Sequence, residues 1–309
     1  MTRSVLVVGG TGMIGSHIAE RLTARGDRVT IASRSTAGPY DPPAIAGIPR
    51  VAIDYTDPGL AASALEGYDA IVFAAGNDIR HVRADDESDD FWRSVQSEGV
   101  PRFAALAKTA GVECFVQIGS YYHQLHPEWA ETNPYVAARK AADEGTRALA
   151  AEGFRPITLN PPSIVGAIPG RVLKGFGRLV DWTRGEPGQP ELFGPVGGTN
   201  YMSVRSLAEA VEGALDRGEG GHAYLVGDES LRYQEYFQKV ANAAGSILTV
   251  EERDEECPFQ PDRFIVQGRG NVIAYEPDPA ETELLGYTRG DVDRALAEIV
   301  AALEASRAA

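Results

Sequence analysis

The chain has 309 residues, 43% hydrophobic and 24% charged, with a formal net charge of −15. That length and composition fit a soluble globular protein, either one large α/β domain or a nucleotide domain carrying a smaller lobe. The acidity excludes a surface built for nucleic acid or anionic membrane, both of which need basic patches, and no run of about 18 apolar residues is present to span a bilayer.

The N-terminus does not read as a secretion signal, since Arg3 leads directly into the apolar run 5–8 and then glycines. Up to residue 160 the chain alternates short apolar runs with helical patterns, the rhythm of a parallel sheet. Strands are expected at 5–8, 29–32, 51–54, 70–74, 114–118 and 156–160, each apolar enough to be buried on both faces. Helices are expected at 14–25, 60–65, 91–110 and 135–151. The acidic run 85–90 (DDESDD) reads as a solvated loop before a helix. Right-handed crossovers make this a Rossmann-type, doubly wound α/β domain over 1–160.

Beyond 160 the rhythm changes. Residues 161–203 are rich in Pro and Gly and read as loops around a helix at 174–183. Helices at 204–215 and 234–244, a strand at 223–226, an irregular stretch over 251–282 and a terminal helix at 289–303 follow. Residues 161–309 are therefore expected to form a smaller substrate lobe, with segments returning to the first domain. Cys114 sits in an apolar strand and Cys257 precedes Pro258, positions that suggest neither a disulfide scaffold nor a zinc site. A cytoplasmic enzyme without a metal is the expected class.

The strand 5–8 runs into VGGTGMIGSHIAERL, which places glycines at a strand end and a helix start. Gly9 allows the tight turn, Gly12 lets backbone approach a pyrophosphate, and Gly15 lets helix and strand pack closely. With Thr11, Met13 and Ile14, these residues offer free N–H groups and a positive dipole end to phosphate. At the end of the second strand, an acid would mark NAD, whereas here Ser33, Arg34 and Ser35 stand in its place. Arg34 meets a 2′-phosphate as a charge-assisted fork. The expected cofactor is NADP(H).

The GxxGxxG spacing resembles that of short-chain dehydrogenases/reductases, and the likeness extends along most of the chain. Asp54 and Tyr55 in DYTD match the acidic position at the adenine. Ala74, Ala75 and Gly76 match the turn that lies along the cofactor, and AGVECFVQIGS ends in Ser120. NPPSIVG, with Pro161 and Ile164, resembles the segment beside the nicotinamide, and TNYMSVRSLAEAVEGAL and AYLVGDES resemble the C-terminal lobe. The chain thus resembles the extended members, of NAD-dependent epimerase/dehydratase type.

That resemblance implies a Ser that holds the reacting oxygen, a Tyr that passes the proton, and a Lys four residues later on the nicotinamide ribose. Such a Lys also lowers the phenol's pKa. Here ETNPYVAARKAADE puts Arg139 four residues after Tyr135, and Lys140 five after, about 140° round a regular helix. Ser120, Tyr135 and Lys140 are the candidate catalytic residues, in one of two registers. Either Tyr135 is the acid with Arg139 as partner, or Lys140 keeps the ribose and Val136 takes the Tyr position, leaving the proton to another source. Tyr121, Tyr122, His123 and His126 follow Ser120 as substitute donors, and Gln96 stands where the family commonly has an Asn.

Thr199 or Asn200 occupies the position where nucleotide-sugar enzymes of this type carry a diphosphate-binding Arg. With Arg34, this turns the expectation toward an NADPH-dependent carbonyl (keto) reductase acting on a bulky small-molecule ketone, such as a secondary-metabolite intermediate. Pro161, Ile164, Val165, Phe176, Trp182 and Phe193 are expected to line its pocket. The alternatives are a nucleotide-sugar epimerase/dehydratase and a non-catalytic NADP-binding protein.

Overall fold

The computed structural model describes residues 2–35, 41–76, 89–168 and 174–308. The expected loop at 85–88 lies outside them. Twelve strands among the described residues are β1 (Ser4–Val8), β2 (Arg28–Ser33), β3 (Arg50–Ala52), β4 (Ala70–Phe73), β5 (Cys114–Ile118), β6 (Arg155–Asn160), β7 (Ser163–Val165), β8 (Phe193–Pro195), β9 (Gly198–Ser203), β10 (Ala223–Leu225), β11 (Glu229–Arg232) and β12 (Glu251–Arg253). The chain divides into two compact units. The first comprises Met1–Pro161, Leu207–Val226 and Asp278–Tyr287, and the second Pro162–Ser206, Gly227–Pro277 and Thr288–Ala309.

The first unit is built on a seven-stranded sheet in the order β10-β6-β5-β4-β1-β2-β3. Every pairing is parallel. The chain leaves β1 toward β2 and β3 on one side, then crosses to β4 on the other, so the order reverses between β1 and β4. Open α/β sheets bind ligands in the crevice at such a point, beyond the carboxyl ends of the strands. Leu6, Val8, Ile71, Phe73 and Phe115 point from the sheet into a core shared with Val100, Phe103 and Ala107.

The helices of this unit are α1 (Met13–Ala24), α2 (Asp89–Trp92), α3 (Gly99–Thr109), α4 (Tyr122–Leu125) and α5 (Pro134–Arg147). The expected unbroken helix over 91–110 is instead α2, a π-turn at Arg93–Ser97, and α3. Two residues account for the break. Pro101 has no N–H to give the preceding turn, so it fits only in the first turn of a new helix. Gly99 passes so close to the Ser94 carbonyl that a Cβ would overlap it. The expected helix at 60–65 is a short 3-10 turn at Ala62–Leu65.

Helices α6 (Lys174–Thr183), α7 (Val204–Arg217), α8 (Tyr233–Ala243), α9 (Pro279–Leu285) and α10 (Val292–Ala308) complete the set. Most of α7, and α9, belong to the first unit. In the second, the Pro/Gly-rich stretch read as loops contains β7, β8 and β9. A three-stranded sheet runs β11-β9-β7 and a two-stranded one pairs β12 with β8. Val165, Trp182 and Phe193 are buried in its core with Tyr236, Phe237 and Val240, and Phe176 packs against them. The Trp182 indole stacks on Phe259 at 4.5 Å and donates to the carbonyls of Pro190 and Glu191. These aromatic residues were expected to line a pocket and are core instead, since a ring in a turn-rich stretch has the same pattern in either role. Among the described residues, no helix is long and apolar enough to cross a membrane and no cluster of metal-ligating side chains is found.

Candidate functional site

At the reversal point, Val8 is paired with Phe73 and the chain leaves both strands together. Ala74 N–H donates to the Val8 carbonyl at 2.9 Å, and Gly9 N–H to that of Ala32 at 3.0 Å. Gly9 has φ +82°, and a Cβ on it would lie 2.7 Å from Ala75 N. Only glycine satisfies both conditions. A Cβ on Gly15 would lie 2.3 Å from the Gly9 carbonyl oxygen, so α1 starts directly against the turn.

Gly12 is the exposed N-cap of α1 and brings no side-chain cap. The first N–H groups, at Met13, Ile14 and Gly15, therefore have no intrahelical acceptor. This cradle of bare glycine and helix N-terminus, open beside Thr11, fits the pyrophosphate of a dinucleotide. Beyond it, Arg34 is exposed at the end of β2, between Ser33 and Ser35, whose carbonyl accepts from Ser33 Oγ. Asp54 is exposed and accepts from Thr56 N and Oγ1. Those bonds hold its carboxyl below the ordinary value, with Arg34 adding to the effect. Tyr55 is half-buried against Phe73, edge-to-face at 4.9 Å, and burial pushes its phenol up to about 12.

The opposite wall is made by the ends of β5 and β6 and by α5. Asn133 caps α5, its Oδ1 accepting from Tyr135 N at 3.0 Å and Val136 N at 3.2 Å, with Pro134 at the first helical position. That start fixes the register. Tyr135 is 5% exposed and its ring lies 5.2 Å from Trp92 and 6.1 Å from Tyr122. Arg139, one turn on and 8% exposed, holds its guanidinium carbon 5.4 Å from the Tyr135 centroid. Val136 is fully buried, and Lys140 is half-buried on the adjoining face. The helix thus brings Tyr135 together with Arg139 rather than with Lys140.

Ser120 is 5% exposed, and its N–H donates to Asn160 Oδ1 at 2.9 Å. The Asn160 amide donates in turn to Gln124 Oε1 at 2.8 Å. Pro161, at the end of β6, accepts from Tyr121 N at 3.3 Å, while Ile164 lies in β7 of the second unit beside Met202. Behind this wall Asp143 is 1% exposed. It accepts from Arg147 Nε at 2.6 Å and pairs with His123 Nε2 at 2.7 Å. Burial raises its pKa, but the His123 and Arg147 bonds outweigh that and bring it down to about 2. His123 is thereby a buried partner of Asp143, and His126 stacks on Trp129 at 4.1 Å. Apart from Asp143 and Arg147, four residues apart on α5, the bonded partners of this network lie 17 to 40 positions apart, so the sequence held little local sign of it.

A parallel sheet reversing at a glycine turn, with a Ser at the end of its fifth strand and a Tyr at the start of the following long helix, defines a Rossmann-type protein of the extended short-chain dehydrogenase/reductase class. More particularly, the chain belongs to the NAD dependent epimerase/dehydratase family, whose sequence pattern matches residues 5–227. No curated protein sequence matches it. Among solved structures, it is similar to a UDP-N-acetylglucosamine 4-epimerase from Methanobrevibacter ruminantium in complex with UDP-N-acetylmuramic acid, with 16% identity, 99% of each chain covered and a TM-score of 0.72. The enzyme WbmH of Bordetella bronchiseptica in complex with NAD+ is 21% identical over 99% of each chain, with a TM-score of 0.65. A UDP-N-acetylglucosamine 4-epimerase from Bacillus cereus is 14% identical over 97% of this chain and 96% of that one, with a TM-score of 0.70.

Proposed function

We propose that the chain is an NADP(H)-dependent oxidoreductase that reduces a ketone to an alcohol, with Tyr135 as proton donor. The observation that carries this reading is the shared face of α5, where a buried phenol and a permanently charged guanidinium lie one turn apart beside the crevice. Gly9, Thr11, Gly12, Met13, Ile14 and Gly15 would hold the pyrophosphate. Asp54, Tyr55, Ala74, Ala75 and Gly76 would flank the adenosine half and the bridge, and Pro161 the nicotinamide. Arg34, with the Ser35 hydroxyl beside it, would receive the 2′-phosphate, and the sequence carries no acid at the end of β2.

The bound dinucleotide supplies the hydride. Ser120 Oγ donates a hydrogen bond to the carbonyl oxygen and polarises it. Tyr135 Oη gives its proton to that oxygen as the C–O bond becomes an alcohol, and the phenolate left behind is balanced by Arg139. On this reading Arg139, rather than Lys140, carries the charge beside the phenol. The direction toward net reduction is supported by Asn200. With Thr199 it stands where such an Arg would lie, and its amide is engaged inside the second unit, accepting from Asp228 N and donating to Ser230 Oγ.

The structural relatives favour a second reading, a nucleotide-sugar epimerase, because two of those named above are UDP-N-acetylglucosamine 4-epimerases. Following NADPH absorbance with a panel of ketones, and in parallel following UDP-sugars for redox-neutral conversion, separates the two. Tyr135→Phe should lower kcat about 100-fold or more, the scale of a lost general acid. Near-normal turnover in that variant would remove Tyr135 from the chemistry.

A further inference from the structure

The rings around Tyr135 define what can reach its hydroxyl. Trp92 lies 5.2 Å away, tilted by 58°, and Phe91 meets Trp92 edge-to-face at 5.1 Å. Tyr122 stands edge-to-face to Tyr135 at 6.1 Å, with Tyr121 4.2 Å and Trp129 6.2 Å from Tyr122. All of them belong to the first unit. Tyr121 and Tyr122 directly follow Ser120, so a run of rings joins the two groups that would meet the carbonyl.

The rings sit on fixed backbone. In α4 the Tyr122 carbonyl accepts from His126 N at 2.8 Å, and Gln124 donates to the Ala223 carbonyl at 3.1 Å while accepting from Asn160 Nδ2 at 2.8 Å. The Trp129 carbonyl accepts from Asn133 N at 2.9 Å, which ties its 3-10 turn, Pro127–Glu131, to the cap of α5. Trp92, Tyr121 and Tyr135 are buried, whereas Phe91, Tyr122 and Trp129 are half-buried. Part of the aromatic surface therefore stays open, and its outline is set before anything binds, which lowers the ordering cost of binding. Contiguous apolar surface beside a few polar groups is the mark of a small-molecule site.

The wall offers mainly the faces and edges of rings. Glu128, on the same turn as Trp129, is paired with His126 Nδ1 at 3.1 Å, and the His126 ring stacks on Trp129. Ring faces leave the hydroxyls of a sugar unpaired, which is costly. A flat aromatic group instead gains from offset and edge-to-face contacts, and the tilts of 37°, 41° and 73° at Tyr122 present both. We infer that Tyr122 and Trp129 seat an aryl ring of the substrate, so that the substrate class is a flat aromatic ketone with its carbonyl close to the ring. The inference rests on the reading of Tyr135 as proton donor to a ketone, and it makes Trp129 a specificity-determining residue.

The test is isothermal titration of the full chain, in the presence of NADP+, with 2-tetralone and 2-decalone. These ketones share one two-ring skeleton and an unconjugated carbonyl at the same position, and only the first carries an aromatic ring. The saturated ketone is the more apolar, so burial alone does not favour 2-tetralone. The wild type should bind 2-tetralone about 10-fold more tightly. Trp129→Leu, and separately Tyr122→Leu, should each remove most of that preference while holding 2-decalone within about twofold, because the leucine keeps apolar surface and loses only the ring. Unchanged affinity for 2-decalone also reports that the variant is folded, and if one variant does not fold the other decides. Equal affinity of the wild type for the two ketones, or none for either, overturns the seat, as does a preference that survives substitution. NADPH oxidation with both ketones is followed in parallel. A wild type that prefers 2-tetralone in binding but oxidises no NADPH overturns the reductase reading and leaves the seat standing.

Discussion

Replacing Asp143 by Asn tests whether the buried network behind the site holds its wall in place. The carboxylate is 1% exposed, pairs with His123 and Arg147 at 2.7 and 2.6 Å, and lies 3.5 Å from Asn160 Nδ2. Its pKa falls from an ordinary 3.8 to about 2. At 1.36 kcal/mol per unit, the charged form contributes about 2 kcal/mol to folding at neutral pH. A carboxyl with a depressed folded-state pKa gives its full contribution above the unfolded value, near pH 4. That contribution is then lost as pH falls through about 2. Asp143→Asn leaves the Arg147 cation and the His123 ring facing a neutral amide, and Arg147 is a quarter exposed. The expected loss is therefore about 3 kcal/mol, the low end for a broken buried pair. Urea unfolding of both proteins at pH 7, 5 and 3 measures it. The gap between wild type and variant should be equal at pH 7 and 5 and narrower by about 1 kcal/mol at pH 3, part-way through that window. An equal gap at all three would refute the account, because the stabilisation would then not depend on the carboxylate's charge.

Two further outcomes follow from the cofactor cradle. Gly15→Ala places a methyl group 2.3 Å from the Gly9 carbonyl oxygen, against backbone that cannot swing aside. It should cost about 1–3 kcal/mol in a thermal melt and weaken NADP(H) binding, and an unchanged melt with unchanged affinity would show that the turn is looser than described. Arg34→Glu should lower affinity for NADPH about 10- to 100-fold, the scale of a lost charge-assisted hydrogen bond. It should leave NADH unaffected or improved, and an unaltered preference would remove Arg34 from cofactor selection.

The sheet of the first unit was legible because each strand is a short apolar run between turn residues, and 114–118 was placed to the residue. The glycine turn was equally legible, since its spacing follows from steric demands that backbone alone imposes. The strands of the second unit were not. Strands β7 and β9 lie among prolines and glycines that normally mark loops, and β9 is sandwiched between neighbours far away in sequence. The aromatic residues Trp182 and Phe193 show the same difficulty from the other side. Their burial is set by Phe237 and Phe259, positions 55 and 77 residues beyond Trp182.

Which residues of α5 share a face was the open question in the sequence, and the helix start capped by Asn133 places Tyr135 and Arg139 together. Successive residues on a helix point about 100° apart, so Arg139 and Lys140 cannot both face the crevice. Asn133, by capping at Tyr135 and Val136, sets the phase in which Tyr135 and Arg139 share a face and Val136 turns to the core. The signal was present in the string Asn-Pro-Tyr, as a capping residue before a first-position proline. The break before α3 had a comparable sign, Gly99 followed by Pro101, which a continuous helix does not tolerate.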